Sequence, residues 1–343
     1  MSLTDQPDSL ARTRPSTSAE RPAWRAQVRE ALRTTADLLD FVGLPAGTAA
    51  ASPALDFPLM VPQAFARRMR RADPLDPLLL QVLPDPDERR SVAGFSADPV
   101  GDLPSRRAPG LLHKYHGRLL LVVTGACAVH CRYCFRQAFP YAGERAAGRK
   151  WREAAEYLRT ASDVEEVILS GGDPLMLPTS QLEALSEELG QFSNIKRLRL
   201  HTRMPVVLPD RVTPRLLHWI NDLPWPLVVV IHANHAAEFD GEVDEGITRL
   251  RHSGAHVLNQ AVLLAGVNDS VDALVELMER GFDAGVLPYY LHQLDRVRGS
   301  QRFEVPTDTA RILTEALRRR LPGYLVPKLV QELPGTPYKT PLL

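Results

Sequence analysis

The sequence predicts an α/β fold, a partial (β/α)6 barrel of the TIM-like kind preceded by a helical region. Six short apolar runs follow residue 110: "LLLVVT" (119–124), "EVILS" (166–170), "KRLRLHT" (196–202), "LVVVIH" (227–232), "HVLNQAVLL" (256–264) and "VLPYYLH" (286–292). Stretches with helical apolar spacing separate and follow them, near 149–160, 178–190, 212–222, 240–253, 270–281 and 306–320. Strand and helix alternating in this way imply a parallel sheet, and continuously apolar runs suit strands covered on both faces.

A third observation concerns where the polar residues fall. In βα barrels the ligand sits at the C-terminal ends of the strands. Cys127 follows the first run, Gly171, Gly172 and Asp173 the second, Arg203 the third and Asp295 the sixth, while His232, Asn234 and His235 stand at the fourth.

Ahead of this core, residues 1–21 are rich in Ser, Thr, Pro and charge, lack an apolar period and read as a flexible tail. Residues 22–105 read as a helical region with Trp24, Val28, Leu32, Leu38, Leu39 and Val42 near one face. Prolines at 53, 58, 62, 74, 77, 84 and 86 interrupt it, and its expected role is to cover part of the barrel. The core itself is assigned to 106–343.

Acidic and basic residues balance at 41 each, so the cationic excess that drives nucleic-acid binding is missing. No apolar run reaches the ~18 residues of a membrane span, and no signal-peptide pattern opens the chain. Three cysteines leave one over in any disulfide scheme. These features together lead to an expected location in a reducing cytoplasm.

All three cysteines, Cys127, Cys131 and Cys134, fall within "TGACAVHCRYCFRQ" (124–137). Structural zinc asks for four ligands, and a fourth cysteine does not exist, although His130 or another histidine could substitute. An iron–sulfur cluster held by three thiolates is the competing reading, and it leaves one iron open. On residues alone, a zinc knuckle, buried thiols and a non-catalytic iron–sulfur protein all stay open.

The Cys-x3-Cys-x2-Cys spacing after the first barrel strand, with Tyr133 before the last cysteine, resembles the radical S-adenosylmethionine superfamily. The resemblance implies a [4Fe-4S] cluster on Cys127, Cys131 and Cys134, with S-adenosyl-L-methionine on the open iron. It also implies a 5′-deoxyadenosyl radical and an external one-electron reductant. "SGGDP", with Ser170, Gly171, Gly172 and Asp173, resembles the segment that contacts the methionine amino group, and Tyr133 the aromatic beside the adenine.

Within that superfamily, "HKYHGRLLLVVTGACAVHCRYCFR", "VILSGGDPL", "TRMPVVLPDRVTP", "NQAVLLAGVND", "PYYLHQLD" and "LPGTPYKTP" resemble the lysine 2,3-aminomutase family in order and spacing. Lys339, one of only five lysines in the chain, then corresponds to the lysine that carries pyridoxal 5′-phosphate. Arg136 corresponds to the arginine that holds the substrate carboxylate, Asp295 and Glu332 to the carboxylates around the ε-ammonium of L-lysine, and Tyr115 and Arg118 to contacts of pyridoxal phosphate. Two departures stand out: Glu332 replaces an aspartate, and Lys114 an arginine.

Only four residues follow Lys339, and none is a cysteine. This resembles the short form that makes (R)-β-lysine, which a lysyl-tRNA-synthetase-like ligase attaches to elongation factor P. A stand-alone aminomutase of catabolism or osmolyte synthesis is the alternative. A homodimer is left open.

Overall fold

In the computed structural model, which describes residues 23–48, 57–141 and 149–342, ten strands hydrogen-bond in chain order. They are β1 (Arg106–Ala108), β2 (Leu111–Tyr115), β3 (Arg118–Thr124), β4 (Glu166–Gly171), β5 (Arg197–Thr202), β6 (Leu227–Ile231), β7 (His256–Val262), β8 (Leu287–His292), β9 (Lys328–Gln331) and β10 (Thr340–Pro341). Strands β3 to β9 are parallel, and β1, β2 and β10 flank them antiparallel. All six expected strands are present; β9 adds a seventh parallel strand.

Among the described residues seven helices follow the strands or lie between them: α5 (Arg149–Thr160), α6 (Thr179–Leu189), α7 (Met204–Val207), α8 (Pro214–Asn221), α9 (Gly241–His252), α10 (Val271–Asp283) and α11 (Thr307–Arg320). Their starts are written locally. Thr213, Asp240 and Ser270 accept from Leu216 N, Val243 N and Ala273 N at the heads of α8, α9 and α10, satisfying otherwise orphaned amides. Leu274, Leu277, Met278 and Gly281 then bury one face of α10 at helical spacing.

The register explains the layering. Leu121, Leu169, Leu200, Val229 and Val257 pair successively across β3 to β7 and belong to the main apolar core. The alternate residues, among them Leu120, Ile168, Arg199 and His201, line a cavity on the inner face. Leu112 and Lys114 from β2 line that cavity together with Glu332 beyond β9. Side chains from both ends of the sheet can share one cavity only if the sheet curls, as the expected partial barrel requires.

The N-terminal region is less helical than its periodicity suggests. Among the described residues its α-helices are α1 (Ala23–Arg29), α2 (Thr35–Val42), α3 (Gln63–Ala66) and α4 (Pro77–Leu80), none longer than eight residues. Prolines set their limits: Pro62 caps α3 and Pro77 opens α4. The expected tail, 1–21, lies outside the described residues.

Candidate active site

The cysteine loop leaves β3 and is held from two sides. From within the core, Gly172 N donates to Thr124 O at 2.7 Å and Asp173 N to Ala126 O at 2.8 Å. A Cβ on Gly172 would stand 2.3 Å from Ala126 O, and one on Gly171, whose φ is +129°, 2.3 Å from Thr124 O. The glycines of "SGGDP" are thus required by close approach to the cysteine loop. Asp173 is equally committed: its carboxylate accepts from Thr202 Oγ1, Arg203 N, Leu175 N and Met204 N at 2.7–3.1 Å.

From the outside, the N-terminal region clamps the same loop. His130 N donates to Met60 O at 2.9 Å and Arg132 N to Gln81 O at 2.9 Å. The Arg132 guanidinium, fully buried, pairs with Glu88 and donates to Phe57 O. Gln81 is wholly buried, and its amide donates to Pro77 O and Glu238 Oε1, each at 3.1 Å. Its Oε1 accepts from Arg203 at 2.7 Å, Asn234 at 3.0 Å and Tyr133 at 3.2 Å.

One cavity of about 300 Å³ collects every residue to which the resemblance gives a cofactor or substrate role; of the polar residues at the end of β6, His232 lines it and Asn234 and His235 do not. Cys127, Cys131, Cys134 and Tyr133 line it beside Ser170, Gly171, Gly172 and Asp173, and Arg136, Asp295, Glu332, Lys339, Tyr115 and Arg118 line it as well. Lys328, the other lysine near the end of the chain, is exposed and faces a different hollow.

The three thiols face the cavity and press on one another electrostatically. Burial, then the charge of Cys131, pushes Cys134 up to about 11, and burial with the neighbouring thiols holds Cys127 well above its ordinary value. Arg203 donates to Cys131 Sγ at 2.7 Å. Such thiols ionise when a cation is bound among them. Among the described residues no three His, Cys, Asp or Glu side chains converge tightly enough for a single metal ion. A cubane cluster asks for something else, because each thiolate binds a separate iron; three inward cysteines on one loop fit it in donor chemistry.

A chain of alternating charges crosses the cavity mouth. Arg136 Nε donates to Asp102 Oδ2 at 2.7 Å, and Lys114 Nζ reaches Asp102 Oδ1 at 2.6 Å and Glu332 Oε1 at 2.8 Å. Glu332 Oε2 pairs with Lys339. Burial opposes both carboxylates, yet Arg136 and Lys114 hold Asp102 below the usual carboxylate range, and Lys339 and Lys114 do the same for Glu332. Arg136 Nη1 donates to Ser170 Oγ at 3.0 Å, which ties one expected cofactor contact to the expected substrate arginine.

Asp295 differs from its neighbours. Its Oδ1 is buried with no hydrogen-bond partner among the described residues, and burial, then the charge of Glu332, pushes its carboxyl up to about 7. A buried carboxyl without a cation is a costly arrangement that a cationic ligand would relieve. The primary amine of Lys339, with Tyr115 and Arg118 on the same cavity, likewise fits an aldehyde cofactor.

Several residues of the site escaped the sequence reading. Asp102 completes the charge chain with Lys114, which the sequence had marked only as a departure from the family, and Gln81 and Glu238 brace Tyr133 and Arg203. His201 and His292 face the cavity between them, both kept neutral: burial, then Lys339, brings His292 down to about 3. The signal for His201 was present in "KRLRLHTR", where Arg197, Arg199 and His201 alternate with Leu198 and Leu200 at the period of a strand.

Comparison with known proteins identifies the family. Residues 121–278 match the family described as the Radical SAM superfamily. An L-lysine 2,3-aminomutase of Escherichia coli (strain K12) is 44% identical over 325 residues, 94% of this chain and 95% of that one. That of Haemophilus influenzae is 39% identical over 323 residues, 94% and 96% of the two chains. That of Clostridium subterminale is 32% identical over 325 residues, which are 93% of this chain and 77% of the clostridial one. Identity of this size along nearly the whole chain places the protein in the L-lysine 2,3-aminomutase family, within the radical SAM superfamily.

Proposed function

We propose that the protein is a lysine 2,3-aminomutase that converts L-lysine to (R)-β-lysine. Its cofactors would be a [4Fe-4S] cluster on Cys127, Cys131 and Cys134, S-adenosyl-L-methionine, and pyridoxal 5′-phosphate on Lys339. When bound, these groups supply hydrogen abstraction from an unactivated C–H bond and a conjugated system through which an amino group can migrate. The observation that carries the reading is Asp295, whose buried Oδ1 has no hydrogen-bond partner and which makes no ion pair among the described residues, in the same cavity as Lys339 and Arg136.

The chain's own part is to bind and to orient. Arg136, fixed by Asp102 and Ser170, presents its remaining edge to the substrate carboxylate. Asp295 takes the ε-ammonium at the other end of the substrate. Glu332 is already engaged by Lys114 and Lys339, so it supports this end chiefly by holding those amines in place. The N-terminal clamp on the cysteine loop keeps water from the reacting atoms.

The use proposed for the product is supply of β-lysine for attachment to elongation factor P by a lysyl-tRNA-synthetase-like ligase. Anaerobic incubation of reconstituted protein with L-lysine, S-adenosylmethionine, pyridoxal phosphate and a one-electron reductant is expected to give β-lysine. Product from another amino acid alone would refute the substrate assignment. Elongation factor P that keeps its β-lysyl mass in a strain lacking this protein would refute the role.

A further inference from the structure

Arg199, His201 and Arg203 line the cavity along β5 and its end, while Leu198 and Leu200 pack into the core on the other face. Arg199 pairs with Glu166, and Arg203 with Glu238 and the Cys131 thiol. The His201 ring alone of the three makes no hydrogen bond or ion pair among the described residues, and its Nε2 is buried. An imidazole carries one N–H and one lone pair, and both are unengaged here.

The strand register sets this ring beside the anchor of Arg136. Across β4 and β5, Ile168 pairs with Arg199 and Leu169 with Leu200, so the next neighbours in step are Ser170 and His201, which both line the cavity. Ser170 Oγ accepts from Arg136 Nη1 at 3.0 Å. After burial, the charges that hold His201 well below its ordinary value are those of Arg199, Lys339 and Arg136, in that order, so the ring stands among all three. Arg136 has its Nε engaged by Asp102 and its Nη1 by Ser170. Nη2 is left for an incoming carboxylate, whose two oxygens accept more bonds than one nitrogen supplies. The Tyr115 hydroxyl feels the charges of Glu332 and Asp295 and so lies toward the ammonium end of the cavity.

We infer that His201 is a second carboxylate-binding residue, its ring N–H donating to the oxygen of L-lysine that Arg136 leaves free. This rests on the reading of L-lysine as substrate given above. A neutral imidazole suits the place, because it adds a donor without adding a cation to a wall that already carries Arg136, Arg199 and Lys339. A ring without a partner also strands no other group when it is removed.

The test is calorimetric binding of L-lysine and of cadaverine, the same diamine without the carboxylate, to anaerobically reconstituted protein loaded with S-adenosylmethionine and pyridoxal phosphate, in the absence of reductant. Wild type is expected to bind L-lysine about tenfold more tightly than cadaverine, or better. His201→Leu and His201→Ala both remove the donor; whichever folds should bind L-lysine about tenfold more weakly and cadaverine within about twofold of wild type. Uptake of pyridoxal phosphate, followed by absorbance, should match that of wild type. His201→Gln, which restores a donor at similar reach, should recover L-lysine binding to within about threefold of wild type. Undiminished L-lysine binding in the folded variants overturns the assignment of His201, and so does an equal loss for cadaverine or for pyridoxal phosphate. Wild type that binds neither diamine, or does not distinguish them, overturns the reading of L-lysine and Arg136 instead, and this inference with it.

Discussion

Glu332 takes both lysines that face it: Oε1 accepts from Lys114 Nζ at 2.8 Å, and Oε2 pairs with Lys339. Lys114 also pairs with Asp102, so one ammonium compensates two buried carboxylates. Replacing it with Met strands charge in a site where all three side chains are no more than 14% exposed. Lys114→Met is expected to lower unfolding free energy by ~3 kcal/mol in urea titrations, and Lys114→Arg by less than half of that.

Asp295, pushed up to about 7, is protonated in the empty protein over a range where an unfolded carboxyl is ionised. Its burial therefore costs stability as pH rises from about 4 toward 7. Binding a cation reverses the preference, since only the ionised form attracts the substrate ammonium. Lysine affinity, read by calorimetry on the cofactor-loaded protein, should rise through pH 7 and then level off. Asp295→Asn should bind about tenfold more weakly at pH 8 and lose that dependence.

Gly172→Ala places a Cβ against Ala126 O, backbone that cannot swing aside. The cysteine loop must then shift away from β4. A loss of ~2 kcal/mol in stability is expected, with a reduced iron and sulfide content after anaerobic reconstitution. Wild-type iron loading in this variant would show that the loop tolerates the shift.

His232 and His292 are both held to about 3 by burial and nearby cations, so they stay neutral where an unfolded histidine is charged. Their contribution to stability is complete above about 6.5 and is lost as pH falls from there toward 3. Acid unfolding should therefore begin well before the carboxylates titrate. His292→Gln should flatten the slope of stability against pH between 6 and 4, measured by urea unfolding across that range.

The barrel was legible because its signal is periodic. Each of the six apolar runs became a strand, and the helical stretches fall within a few residues of the observed helices. Strands β1, β2, β9 and β10 are two to five residues long and, unlike the equally short β6 with its unbroken "LVVVI", carry no continuous apolar run. The polar inner face of β5 was hidden inside a run read as apolar.

In the site, the cysteines, Arg136, Asp295, Glu332 and Lys339 were marked by motif, and all reach one cavity. Asp102 and Gln81 were not, because most of their side-chain partners, from Arg136, 34 positions from Asp102, to Glu238, 157 from Gln81, are remote in the chain and no local pattern announces them. Glu332 was expected to face the substrate; its capture by Lys114 depends on β2 and the segment after β9 meeting across the open side of the barrel.

Gln81 spends every donor and acceptor of its amide on groups from α4, the cysteine loop, and the ends of β5 and β6. An amide so fully subscribed cannot be removed without stranding several partners at once. The barrel is therefore not a cassette that could be transplanted beneath a different N-terminal region. Changes at α4 and at Arg203, Asn234 or Glu238 should be inherited together, as the two halves of a joint.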